Sequence, residues 1–376
     1  MIYLDYQATT PLAAEAREAM LPWLEADALG NPHSSHKPGR RAAAAVEVAR
    51  GQVNSPLGAK AGAGRLVFTS GATEAANLAI KGVAATAPAS RRHIVTIATE
   101  HACVLDSCAW LETQGWRATR LPVDPDGLVR LEEAAAAIDE RTALVCAMLV
   151  NNEIGVVQPV AEIGRLARAA GARMFCDAVQ GVGRVPVPLD ACDLVAVSAH
   201  KLFGPKGIGA LWVREGVDLA PLIHGGGQEG ALRSGTLSPM LCAGFGAAAG
   251  VAAARAEADA AHVEALWTLA RPLLDRGWTL NGAADPRWRG NLNIRRDGVD
   301  SARLISELRD IAFSSGSACA SGSGRPSHVL RALGLSDAQA RSSIRLGFGR
   351  GTDPDAFADA LSAIDAAASR QLRIAA

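Results

Sequence analysis

The chain reads as an α/β protein, with a large domain on a mostly parallel sheet and a smaller α+β domain after it. Three observations carry that reading. From about residue 60 to 215, short apolar runs alternate with segments of helical pattern, the order expected of strands joined by crossover helices. The apolar runs are nearly continuous, as strands covered on both faces must be. Further on the order changes: strand-like runs at 291–294 and 343–346 are flanked by helical segments at 301–309 and 354–371.

Strands are expected at 66–69, 93–97, 143–150, 174–176, 194–198 and 208–213, with helices at 72–81, 102–114, 131–138 and 160–170. The alanine-rich stretch 241–269 reads as one long helix leaving the large domain. With 376 residues, 49% hydrophobic and 20% charged, the chain can bury a large core and lacks the composition of disorder. Lys+Arg and Asp+Glu number 38 each, so charge gives no case for nucleic acid or an anionic membrane surface. The first residues lack a basic segment followed by a long apolar one, and no uninterrupted apolar span is long enough to cross a bilayer. A cytoplasmic location is the expectation. The 7 cysteines show no C-x-x-C pair and no metal-ligand spacing, so no metal is expected. Cys103, Cys108, Cys146, Cys176, Cys192 and Cys242 sit in apolar or helical contexts and read as packed thiols. Cys319 sits among small, polar, glycine-rich neighbours, Ala320 to Arg325, and reads as part of a loop.

Four polar clusters stand directly after apolar runs, where open α/β sheets bind ligands. The most informative is Ser198-Ala199-His200-Lys201, followed by a glycine-punctuated loop. A lysine offered at a strand end, desolvated or near other positive charge, can form a Schiff base. Ser70-Gly71-Ala72-Thr73 opens a helix, where N–H groups and the helix dipole favour a phosphate. Asp177 follows the 174–176 run and can pair with a protonated pyridine nitrogen, while Gln180 can reach the phenolic oxygen of the same ring. His101, in Thr99-Glu100-His101, can stack on such a ring or move protons. Asn151-Asn152-Glu153 adds a further polar cluster. Together they point to pyridoxal 5'-phosphate.

Other runs sharpen the picture: Leu4-Asp5-Tyr6-Gln7-Ala8-Thr9-Thr10-Pro11, Gly30-Asn31-Pro32-His33-Ser34, Arg233-Ser234-Gly235-Thr236 and Ser314-Ser315-Gly316-Ser317-Ala318-Cys319. On these motifs, nearly end to end, the chain resembles the cysteine desulfurases, pyridoxal-phosphate enzymes of the class V aminotransferase group with fold type I. The resemblance implies a seven-stranded, mostly parallel sheet in a large domain at 13–254, and a small domain of 1–12 and 255–376 carrying the cysteine loop. It implies that Lys201 holds the cofactor covalently, Asp177 pairs with its ring nitrogen and His101 stacks on the ring. Asn152 and Gln180 would contact ring substituents or substrate. Ala72, Thr73, Ser198 and His200 would hold the phosphate. Thr236 would reach the phosphate of a neighbouring subunit, so a homodimer is implied. Arg345 would clamp the carboxylate of L-cysteine, a role suited to its bidentate fork. Cys319 would be the nucleophile that receives sulfur as a persulfide, giving L-alanine and passing sulfur to an acceptor protein for iron–sulfur clusters or other sulfur-containing molecules.

Three departures from the family's pattern stand out. Gly230 occupies a position where relatives commonly have arginine, and Ala320 one where they often have a hydroxyl. The chain stops at Ala376 without the extended tail that housekeeping members use to dock a scaffold, which leaves the acceptor open. Rival readings are a selenocysteine lyase or small-amino-acid aminotransferase on the same fold, and a sulfur-relay protein whose own turnover is incidental. Cys319 argues against the first pair, and the intact lysine, aspartate and phosphate groups against the last.

Overall fold

The computed structural model describes residues 1–25, 28–316 and 326–375. Seven strands form the central sheet in the order Gly64–Thr69, Gly209–Arg214, Leu194–Ser198, Arg173–Asp177, Thr142–Met148, His93–Ile97 and Arg117–Leu121. Gly209–Arg214 is antiparallel to both neighbours, and every other pair is parallel. The strands at 93–97, 142–148 and 194–198 are buried along their whole length. That is why their sequences read as unbroken apolar runs.

Successive side chains serve opposite layers. Val95, Val145 and Val195 pack with helices Lys37–Asn54, Val160–Ala169 and Pro239–Ala254. Their neighbours Ile94, Leu144 and Leu194 pack with helices Ala72–Thr86 and Ala102–Thr113. Two elements of this domain escape the apolar reading. The strand Arg117–Leu121 is a sheet edge with two arginines and one buried residue, the polar composition expected where one side lacks a partner strand. Helix Lys37–Asn54 begins with His36 Nδ1 accepting from Gly39 N–H (3.2 Å). Its buried Ala42, Val46, Ala49 and Val53 keep helical spacing, a signal present in the sequence but diluted by alanine and arginine.

The long helix expected at 241–269 is two helices, Pro239–Ala254 and one beginning at Ala256, with a bend of 72° between them. Arg255 (φ −107°, ψ 4°) leaves the helical region and caps both. The first belongs to the sheet's core. The second packs into a separate core with Leu292, Ile294, Ile344 and Phe357. This second core lies against an antiparallel sheet ordered Ser314–Ser315, Ser343–Gly347, Asn291–Arg295 and Thr279–Leu280. The N-terminus joins it. Ile2–Tyr3 pairs in parallel with Ile311–Ala312, and Leu4 is fully buried there. Asp5 bridges to Gly347, so the segment that follows is carried across to the large sheet.

Glycines in two neighbouring helices give a paired prediction. A Cβ at Gly246 would lie 2.7 Å from Ala49 Cα, whereas one at Gly51 meets nothing within 4 Å. Gly246→Val should lower unfolding free energy by about 1–3 kcal/mol through overpacking. Gly51→Ala should raise it by about 0.5–1 kcal/mol through helix propensity. Urea unfolding of the two variants should show midpoints moving in opposite directions; shifts of the same sign would contradict this packing.

Candidate active site

The carboxyl ends of the parallel strands open into a cavity of about 560 Å³. Ten of the residues singled out in the sequence border it: Ala72, Thr73, His101, Asn152, Asp177, Gln180, Ser198, His200, Lys201 and Arg345. Thr236 does not. It is exposed and lines a separate pocket with Thr69, Ser70 and Arg233. Cys319 lies outside the described residues.

Lys201 ends the single turn Ala199–Lys201 that follows the strand Leu194–Ser198. Its Nζ donates to the carbonyls of Gln7 and Ala8, the latter at 2.7 Å. The turn is clamped from the same segment. Thr10 Oγ1 donates to His200 O (3.0 Å) and accepts from Phe203 N–H (2.8 Å). Phe203 takes φ 61°, a left-handed conformation that costs an aromatic residue energy and persists only where neighbours enforce it.

Asp177 is buried, and Val179 N–H donates to its Oδ1 (3.0 Å). Burial, the largest influence, pushes its carboxyl above the ordinary value, against the pull of His101, the Val179 N–H and Lys201. A cationic ring N–H against this group would favour its charged form. Nearby, Glu100 is fully buried. Desolvation first, and then Asp177, hold its carboxyl well above the usual range.

His101 caps helix Ala102–Thr113. Its Nδ1 accepts from Cys103 N–H (3.2 Å) and lies 3.1 Å from Cys103 Sγ. With Nδ1 accepting, the neutral ring carries its proton on Nε2. Cys103 therefore departs from the packed-thiol expectation: it is half-buried and borders the cavity. Helical pattern alone hides this, because the first turn of that helix faces the site.

The helix Ala72–Thr86 starts without a side-chain cap, leaving the first N–H groups for another acceptor. Here the backbone is crowded: a Cβ at Gly209 would lie 2.7 Å from Gly71 C and Val197 O. His200 Nδ1 lies 3.2 Å from Thr9 Oγ1. Burial, then the charges of Lys201 and Lys206, pull the His200 imidazole down to about 4. An uncapped helix start with Ser198, His200 and Lys206 around it fits a phosphate.

Gln180 is fixed at both ends of its amide. Nε2 donates to Gln7 O (3.0 Å), and Oε1 accepts from Arg184 Nη1. Arg184 also donates to Lys201 O (2.8 Å). It is half-buried, and burial followed by Arg350 lowers its guanidinium to about 10. Arg184 is a site-organising residue that sequence reasoning missed; its position four residues after Gln180 was the available signal. Arg345 is 1% exposed. Nη1 donates to Asn152 O (3.0 Å), and Nη2 to Asp5 Oδ1 (2.8 Å) and Ser314 Oγ (3.3 Å). Its Nε is buried without a hydrogen-bond partner among the described residues.

A bare helix start, a buried acid and an amine on a clamped turn are contacts that one phosphorylated pyridine aldehyde would make at once. Fold and cavity place the molecule among the pyridoxal-phosphate enzymes of fold type I. The family model described as aminotransferase class-V matches residues 2–355. A cysteine desulfurase IscS of Rickettsia bellii is 47% identical over 359 residues, 93% of this chain and 87% of that protein. A solved NifS-like protein superposes with a TM-score of 0.90 at 32% identity, covering 98% of this chain and 99% of that one. A structure described as SspA in complex with cysteine gives a TM-score of 0.82 at 36% identity, over 93% of this chain and 99% of that one. The chain belongs to the class-V aminotransferase family and, within it, to the cysteine desulfurases.

The low value of His200 has a measurable consequence. Its folded pKa, about 4, lies below the ordinary 6.5. As pH falls below about 6.5, the unfolded chain takes up a proton that the folded one refuses, so this stability is lost down to about pH 4. In phosphate-free apoprotein, His200→Gln should make the fall in unfolding free energy from pH 7 to 5 shallower. An unchanged slope in urea titrations would refute the assignment.

Proposed function

We propose that the chain converts L-cysteine to L-alanine and retains the sulfur as a persulfide on Cys319, from which an acceptor protein takes it. The observation that carries this reading is the meeting of Lys201, Asp177, His101, the bare helix start at Ala72 and Arg345 around one cavity. When bound, pyridoxal phosphate supplies an aldehyde that condenses with amines and a ring that draws electrons from Cα. Lys201 anchors it and, once displaced by the substrate amine, carries the Cα proton. Asp177 keeps the ring nitrogen protonated. Ala72, Thr73, Ser198 and His200 hold the phosphate, while Asn152 and Gln180 fix the ring and substrate. His101 lies along the ring and moves protons through Nε2. Arg345 takes the substrate carboxylate. The Cys319 thiolate bonds to the substrate sulfur. The Cβ–S bond breaks with its pair left on Cβ, and a proton delivered there, with the Cα proton returned by Lys201, completes L-alanine.

Borohydride reduction and peptide mapping should place the cofactor label on Lys201; a label on Lys206 would remove Lys201 from its role. After one turnover with L-cysteine, mass spectrometry should find one added sulfur on Cys319. Cys319→Ser should retain the cofactor yet form alanine at near-background rate. Normal alanine formation by that variant would sink the persulfide mechanism.

The wider assignment is a cytoplasmic homodimer that feeds iron–sulfur cluster assembly or related sulfur pathways. Its large domain spans 13–254 and its small domain 1–12 with 255–376. The two separate hydrophobic cores support that division. No single helix among the described residues is long and apolar enough to cross a membrane. Thr236, exposed and away from its own cavity, suits a contact with the phosphate of a second copy. Cofactor affinity should therefore fall as the protein is diluted into monomers. A sedimenting monomer that binds the cofactor at full affinity would exclude the shared site.

A further inference from the structure

Arg345 borders the cavity, yet its side chain is almost wholly covered by groups of the chain itself. A carboxylate docks side by side on a guanidinium along one of two edges, Nε with Nη2 or Nη1 with Nη2. Both edges include Nη2. That nitrogen already donates to Asp5 Oδ1 (2.8 Å) and Ser314 Oγ (3.3 Å), and Ser314 Oγ itself donates to Asp5 Oδ1 (2.7 Å). Asp5 cannot drift away. Leu4 is hydrogen-bonded to Ala312 O and Gly347 N–H, each at 2.7 Å, and Asp5 bridges to Gly347.

We propose that Asp5 is an internal competitor for the substrate carboxylate at Arg345, and that it sets how tightly substrate and product are held. The inference rests on Arg345 being the carboxylate site. An incoming carboxylate must displace Asp5 from Nη2 or share the nitrogen with it, two negative groups on one donor. Asp5 also neutralises the buried guanidinium before a ligand arrives, so the arginine stays oriented while little net attraction is left for the ligand. The same competition favours release of L-alanine, which presents the same carboxylate as L-cysteine. Asp5 acts through Arg345 and is a positioning residue: it does not line the cavity.

The test is equilibrium binding of L-alanine to the holoenzyme, followed by the cofactor's absorbance. Asp5→Asn should bind L-alanine about threefold to tenfold more tightly, in keeping with the loss of one charge-assisted contact that opposes it. Ethylamine, which has no carboxylate, should bind both proteins alike. Asp5→Glu, which restores the charge, should return L-alanine affinity toward that of the wild type. In turnover, KM for L-cysteine should fall more than kcat changes. Asp5→Ser should act in the same direction as Asp5→Asn and serves if the latter misfolds. Unchanged or weaker L-alanine binding in the neutral variants overturns the proposal. So does an equal gain for ethylamine, which would mean a general loosening. Arg345→Lys separates the two readings. If it leaves L-alanine affinity intact, the carboxylate assignment itself fails. If it weakens L-alanine while Asp5→Asn changes nothing, only the competition fails.

Discussion

The site depends on the crossing of the segment 7–10 between the two cores. Without it, Lys201 would stand at a strand end with its amine in solvent. With it, the amine is received by the carbonyls of Gln7 and Ala8, and the backbone of the lysine turn is held by Thr10. The segment can do this because its ends are fixed elsewhere. Leu4 is sunk in the small core, and Gln7 Nε2 donates to Gly290 O (2.8 Å). The strained Phe203 is a local sign of that constraint: surrounding contacts over-determine a conformation the residue would not choose.

Several charged side chains of the protein are buried or half-buried against partners. Arg184 is tied to the Gln180 amide and the Lys201 carbonyl. Arg287 is caged by carbonyls of Asn281, Ala283 and Asn291 and stacks over Trp267 at 5.3 Å. Glu153, raised above its ordinary value chiefly by burial, receives the Ser327 hydroxyl. Buried polar groups cost little extra once satisfied and a great deal when one partner is lost. This is how a site can keep a rigid floor while presenting an amine, an acid and an imidazole to the same cavity.

Much of this was legible along the chain, for a physical reason. Parallel strands buried on both faces leave unbroken apolar runs, and function sits at their ends. Asp177, and the group Ser198 to Lys201, are therefore the first polar residues met after such runs. What was hidden depends on tertiary partners. Arg117–Leu121 is a strand because it has a neighbour, not because of its own pattern. The break at Arg255 has no glycine or proline to announce it and arises because two cores claim the two halves of one alanine-rich stretch. Asp5 acts through contacts with Ser314 and Arg345, residues far away in sequence, which no local motif encodes.

The N-terminal strand also imposes an order on biosynthesis. Ile2–Tyr3 finds its partner at Ile311–Ala312, and Asp5 finds its own at Gly347, so these residues can be placed only after segments far along the chain have been made. The large sheet can form while translation continues, since its strands end at Arg214. Until the final strands emerge, however, the segment that carries the carbonyls receiving the Lys201 amine lacks its anchors at Gly290 and Gly347 and is held only by Gln180, His200 and Phe203. A nascent chain thus presents a nearly finished sheet with an unfinished reaction centre, and competence arrives in one late step of long sequence separation. Such an arrangement keeps a reactive amine from being set in place before the chain that must control it is complete.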